Sequence, residues 1–194
     1  MQKGNCAILM AGLARDDEDM QRILVIGCGG SGKSTLSRQL GARLGLPVLH
    51  LDAFYWRPGW VESGSGDWAR QVAELIRRDA WVMDGNFASS LPERLAACDS
   101  VVFLDMPRWR CLWRVFWRVL RHHGEVRPDM AEGCPEQLDW TFVRWVWNFP
   151  RDVRPRLLEL LVRAEAGGTP IFRLRTPLQV RRFLQSLPDQ RGSE

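Results

Sequence analysis

The stretch Gly27-Cys28-Gly29-Gly30-Ser31-Gly32-Lys33-Ser34 constrains this chain more than any other. It fits G-x-x-x-x-G-K-[ST], the pattern of a loop whose backbone N–H groups surround a phosphate. An apolar run of strand length, residues 22–26, precedes it. Leucines at 36, 40 and 44 follow at helical spacing. Strand, glycine loop and helix in that order put the positive end of the helix behind the bound anion. Gly27, Gly29, Gly30, Ser31, Gly32 and Thr35 then supply the loop backbone. Lys33 reaches the β- and γ-phosphates, and the Ser34 hydroxyl binds Mg²⁺. The chain is therefore expected to bind a nucleoside triphosphate.

The rest of the chain repeats the strand–helix alternation. Strands are expected at 22–27, 47–52, 80–84, 100–105 and 170–174, and helices at 33–45, 67–78, 90–97, 107–122, 135–166 (interrupted near Pro150 and Pro155) and 177–187. Residues 53–67 read as an irregular loop rich in aromatic side chains, and 124–134 as polar turns. This alternation implies an α/β fold, a parallel sheet covered by helices on both faces. Ligands then sit beyond the carboxyl ends of the strands, along a rim that gathers the glycine loop, Asp52, Asp84 and the residues after Asp105.

At 194 residues the chain suits one domain, 21–194, and its mildly basic balance of +4 suits a polyanionic nucleotide without arguing for DNA. Five cysteines with no C-x-x-C suggest neither a disulfide framework nor a zinc site, so a cytoplasmic, reducing location is expected. No apolar run reaches membrane-spanning length, and no membrane partner is expected. Residues 1–20 read as a disordered extension.

Three carboxylates close apolar strands. Asp84, before Gly85, can hold Mg²⁺ opposite Ser34, against the alternative of a turn-forming Asp-Gly. Asp52 can accept a proton from a substrate hydroxyl, orient metal-bound water, or cap a helix. Asp105 reads as structural. Over 107–122, Arg110, Arg114, Arg118 and Arg121 form one stripe, with Trp109, Trp113, Phe116, Trp117 and Leu120 beside it. Acidic partners at i±4 are missing, which points to guanidinium groups that line phosphates rather than to a solvated basic face. The aromatic stripe is expected to pack into the core.

The loop, Asp84-Gly85, Leu104-Asp105-Met106-Pro107 and the arginines that follow resemble adenylate kinase and its relatives. The chain is similar in more detail to the DNA topology modulation subgroup of these proteins, through His50-Leu51-Asp52, Tyr55-Trp56, Pro58-Gly59-Trp60, Trp81 to Phe87, Arg94 and Trp145 to Phe149. The resemblance implies a P-loop NTPase three-layer sandwich with a five-stranded parallel sheet, order 2-3-1-4-5, like that of adenylate and shikimate kinases. A small helical lid would span roughly 108–156. It implies transfer of the γ-phosphoryl group of Mg-ATP to a nucleoside monophosphate or a small hydroxylated acceptor by a monomer or homodimer. The alternatives are a nucleotide-dependent regulator of DNA topology and an ATPase without an acceptor.

In this scheme Arg118, with Arg127 and Arg151, closes over the phosphates, and Arg114 stacks on adenine near Arg175. Arg94 and Asp52, with Tyr55 and Trp60, meet the acceptor, and Asp84 borders it. The chain departs from adenylate kinase after Asp84-Gly85. Asn86-Phe87-Ala88 stands in place of Phe-Pro-Arg, which leaves Arg94 as the nearest arginine. Asp52 after the second strand is instead reminiscent of shikimate and gluconate kinases.

Overall fold

The strand before the glycine loop, β1 (Arg22–Gly27), is buried along nearly its whole length, as a strand with helices on both faces must be. The computed structural model describes residues 20–188, so the extension expected at the N-terminus lies, apart from Met20, outside the described residues. Helix α1 (Lys33–Leu44) leaves the loop, buries Leu36, Leu40 and Leu44, and stops at Gly45, whose φ of 68° is left-handed. The chain returns through β2 (Val48–His50).

Here local structure departs from expectation. Strand β2 ends at His50, and the next residues form a short helix, α2 (Leu51–Tyr55), so Asp52 sits in a helical turn rather than at a strand end. The segment expected as loop also holds a small antiparallel hairpin, β3 (Trp56–Arg57) with β4 (Val61–Glu62). Helix α3 (Ser65–Ile76) starts ahead of Asp67, which lies in its first turn and does not cap it.

Strand β5 (Trp81–Asp84), helix α4 (Leu91–Ala97) and strand β6 (Ser100–Leu104) follow. Then come α5 (Arg108–His122), α6 (Trp140–Asp152), α7 (Arg154–Ala166), β7 (Ile171–Leu174) and α8 (Pro177–Ser186). Asp139 caps α6 by accepting from the Thr141 N–H at 2.7 Å, so residues 135–138 are not helical. Pro150 is carried inside α6, and the break comes at Val153, ahead of Pro155 in the first turn of α7.

Five strands form one parallel sheet in the order β2-β5-β1-β6-β7. Leaving the hairpin aside, that is the order 2-3-1-4-5. Adjacent β1 and β6 are in register with Gly27 beside Leu104, so the glycine loop and the chain after Asp105 leave the sheet at the same edge. Asp105 accepts hydrogen bonds from Arg154 at 2.8 and 3.0 Å and from Arg173 at 2.8 Å, and Arg175 lies 3.6 Å away. Burial alone would raise its carboxyl, but these arginines hold it below the usual carboxylate range. It joins α7 and β7 to the end of β6, as a structural carboxylate. No helix among the described residues is long and apolar enough to cross a membrane.

Helix α5 overturns one expectation. Its buried residues are Cys111, Val115 and Val119, whereas Trp109, Trp113, Phe116, Trp117 and Leu120 are all exposed. The row of small side chains one helical face away meets the glycine loop too closely for indole rings to fit there.

Candidate active site

The glycine loop opens on a cavity of about 1240 Å³ walled by α1, the β3–β4 hairpin, α5, the segment 125–139 and α6. The loop is shaped by contact as much as by φ. Gly30 has φ of 74°, and a Cβ there would stand 2.4 Å from the Cys111 carbonyl oxygen. A Cβ at Gly29 would stand 2.4 Å from the Phe142 ring. Helices α5 and α6 therefore rest on bare backbone. Asn86 holds the start of the loop from the other side, accepting from Gly27 N at 3.1 Å and donating to Gly27 O at 2.7 Å.

Lys33, Ser34, Thr35 and Asp52 line the cavity, as do Trp60, Arg114, Arg118 and Arg127. Lys33 Nζ donates to the Cys28 carbonyl at 3.2 Å, a bond that a phosphate oxygen can replace. Arg114 donates to the Ser31 carbonyl at 2.9 Å. It therefore stands against the loop, not over a base site near Arg175. Cys28 is buried, free and hydrogen-bonded to the Cys111 thiol; that hydrogen bond, with burial, raises it far above the ordinary thiol range. It is an inert packing residue.

Arg118 and Arg127 share one carboxylate that the sequence did not single out. Arg118 Nε donates to Glu136 Oε1 at 2.9 Å. Arg127 Nε lies 2.7 Å from Glu136 Oε2, a charge contact without hydrogen-bond alignment. Glu136 is 4% exposed. Burial first, and then the Arg127 charge, pull Arg118 below its ordinary value. Arg127 continues to Asp129, Nη1 to Oδ2 at 3.0 Å, and Asp129 is hydrogen-bonded to the Ser34 side chain. Burial pushes Asp129 upward, but Arg127 and the Ser34 hydroxyl outweigh it and hold the carboxyl low. A chain of polar contacts thus runs from α5 across 127–136 to Ser34 of the loop. Asp129 lies in Arg127-Pro128-Asp129, which resembles the R-x-D segment of the adenylate kinase lid, whereas nothing local in sequence marks the contact of Glu136 with Arg118.

Asp52 is raised above the ordinary carboxylate range, first by burial and then by Asp84 and Asp129, against the pull of Lys33. A base tuned upward transfers protons better at neutral pH than an ordinary aspartate. Asp84 is placed differently from expectation. It is 1% exposed, lies outside the cavity wall and accepts from His50 Nδ1 at 2.7 Å. His50 is consequently raised: burial would lower it, but the bond and charge of Asp84 prevail. Among the described residues no group of three or more His, Cys, Asp or Glu could hold a metal alone. The oxygens that fit Mg²⁺ at the loop are the Ser34 hydroxyl and the cavity-lining carboxylates of Asp129 and Asp52, the hard donors this ion takes alongside phosphate.

Four further residues lie elsewhere than expected. Arg94 is fully buried, and its guanidinium donates to the carbonyls of Gly85 (2.9 Å), Asn86 (2.8 Å), Phe87 (2.9 Å) and Ser90 (3.3 Å). With its donors spent on backbone it does not meet an acceptor. Burial pulls it down to about 10, which leaves it charged. Arg151 is exposed and pairs with its neighbour Asp152, away from the cavity. Arg175 belongs to the Asp105 cluster. Tyr55 stands behind the wall, packed on Trp68 and Phe87 at 5.0 and 4.6 Å, with Glu62 as its hydroxyl partner.

Trp60 does line the cavity. The hairpin turn places it at φ of 63°, a strained value for a bulky residue, and its Nε1–H donates to the Pro135 carbonyl at 3.2 Å. Gly59 N–H donates to Gly133 O at 2.9 Å and the Cys134 thiol to Arg57 O at 3.2 Å. The hairpin and the segment 133–135 are thus bonded across the cavity mouth.

Comparison with known proteins agrees with this architecture. No protein-family model matches the chain. The uncharacterized protein YqaC of Bacillus subtilis (strain 168) is 28% identical over 144 residues, covering 71% of this chain and 79% of that protein. Among solved structures, shikimate kinase from Acinetobacter baumannii, in complex with shikimate, superposes with a TM-score of 0.54 at 21% identity, over 87% of this chain and 90% of that one. Shikimate kinase from Bacteroides thetaiotaomicron gives 0.52 at 17% identity over 86% and 95%. At such identities the likeness is one of fold: the chain has the three-layer fold of shikimate kinase and related phosphate-loop kinases.

Proposed function

We propose that this protein is an ATP-dependent phosphotransferase that moves the γ-phosphoryl group of Mg-ATP to a hydroxyl of a small acceptor. The observation that carries this reading is the cavity itself. It joins a phosphate-binding loop, three arginines (Arg114, Arg118 and Arg127) and an upward-tuned carboxylate, Asp52, around one space. The loop amides and Lys33 hold the β- and γ-phosphates. Arg118 and Arg127, on the lid, exchange Glu136 for the equatorial oxygens of the transferring group. Ser34 with Asp129 would hold Mg²⁺, which would supply charge neutralisation for the phosphates. Asp52 takes the acceptor proton. Lid closure keeps water from the site.

The buried position of Arg94 favours a small hydroxylated acceptor over a nucleoside monophosphate, because the arginine expected to grip that phosphate is bonded to backbone. The shikimate bound to the fold relative from Acinetobacter baumannii is an acceptor of this size.

Mg-ATP, a panel of polyols, hydroxy acids and nucleoside monophosphates, and a readout of ADP release test the proposal. At least one hydroxylated acceptor should stimulate release, and Lys33→Ala and Arg118→Ala should each lower stimulated turnover by about 10²–10³-fold. Release that no acceptor stimulates would sink the transferase reading. It would leave an ATPase, or the nucleotide-dependent regulator of DNA topology that the narrower resemblance implies.

A further inference from the structure

Helix α5 has three faces. Cys111, Val115 and Val119 form the buried one. The arginine stripe forms the second, with Arg114 and Arg118 turned into the cavity. The third carries Trp109, Trp113, Phe116, Trp117 and Leu120, which recur at i, i+4, i+7, i+8 and i+11 and are 62, 63, 54, 40 and 57% exposed. Trp147 of α6, 40% exposed, extends this ridge through an edge contact with Trp109 at 5.0 Å. A helix stripe of this span is about 16 Å long at 1.5 Å per residue. Isolated exposed apolar side chains are ordinary, but a continuous aromatic ridge marks a surface that another body covers.

Charge narrows what that body is. Helix α5 contains no acidic residue. Arg108 lies 4.2 Å over the Trp147 ring and 5.3 Å from that of Trp109, and Arg121 lies 5.9 Å from that of Trp117. Cations thus flank the ridge at both ends. The covering surface must accept apolar rings and supply negative charge beside them. A second copy docked α5 on α5 would set two arginine rows together with no α5 carboxylate between them. Single-stranded nucleic acid needs flat rings presented face-on, whereas Trp113–Trp117 and Phe116–Trp117 meet edge to face at 63° and 76°.

A bilayer that carries anionic lipid meets both demands. Indole rings settle at the boundary between headgroups and acyl chains, and arginines reach from there to the phosphates. We infer that α5 docks this protein on an anionic lipid surface, with Trp113, Phe116, Trp117 and Leu120 immersed and Arg108, Arg110 and Arg121 among the headgroups. The contact is peripheral, and it revises the expectation from sequence that no membrane takes part.

Full-length protein sedimented with vesicles of phosphatidylglycerol and phosphatidylcholine, and with phosphatidylcholine alone, tests this. The protein should partition to the anionic vesicles, and raised salt should release it. Trp113→Ser combined with Trp117→Ser, and separately Arg110→Gln combined with Arg121→Gln, should each weaken partition roughly tenfold or more at unchanged thermal midpoint. Four results would overturn the inference. They are absence of binding, equal binding to neutral vesicles, tighter binding to single-stranded DNA than to vesicles, and a concentration-dependent dimer (by light scattering) that the tryptophan variant dissociates. The last would assign the face to a second copy.

Discussion

At the scale of single residues, Arg94 shows how far a side chain's place can differ from its place in a motif. The sequence offered it as the nearest cation to an acceptor. The fold spends its donors on four carbonyls of the turn that carries Asn86, and Asn86 in turn holds Gly27. It acts on the site by shaping the loop. Arg94→Ala would leave those carbonyls buried without donors, at a cost of roughly 3–5 kcal/mol, and Arg94→Lys, which cannot reproduce the planar fork, should recover only part of it. Urea unfolding measures both. Arg94→Ala protein that kept wild-type stability would show that the guanidinium is not structural. What could be read at this scale was the glycine loop, because its chemistry needs particular residues at fixed spacing. Glu136 could not be read, because its meaning lies in a contact with Arg118 that only the tertiary fold creates.

At the scale of elements, hydrophobic periodicity located the strands and most helices but could not choose between two apolar stripes on α5. The helix offers Cys111, Val115 and Val119 on one side and five larger side chains on another. Size suggests the aromatic side as core. Close approach decides otherwise, since the Cys111 carbonyl packs on Gly30. The segment after Asp52 was illegible for a different reason. A helix of five residues and strands of two are too short for periodicity to register. That hairpin is held to the opposite wall by the Trp60–Pro135 bond. Trp60→Phe keeps an aromatic ring and deletes this donor. Proteolysis within 124–137 should then run several-fold faster at unchanged global stability, because a local opening loses about 1 kcal/mol. Equal cleavage rates would mean that the bond does not hold the mouth closed.

At the scale of the whole molecule, the parallel sheet brings the loop and the chain after β6 to one edge, and the strand order is the one the resemblance implied. A nucleotide that bridges the loop and the arginines binds only the folded chain, so saturation adds stability. At one hundred times its dissociation constant, Mg-ATP should contribute about 2.7 kcal/mol and raise the thermal midpoint by roughly 5–10 °C. Lys33→Ala should erase most of that rise in a calorimetric or fluorescence melt. A ligand-induced rise that survived in Lys33→Ala would place the nucleotide elsewhere.

The missing clearance at Gly30 has a wider consequence. With a carbonyl of α5 pressed on the loop backbone, the helix cannot tilt without the loop responding. Occupants of the helix's outer face and of the loop are then thermodynamically linked. Whatever factor a lipid surface applies to nucleotide affinity, nucleotide must return to lipid affinity. The helix becomes a lever with one arm in solvent and the other under the phosphates.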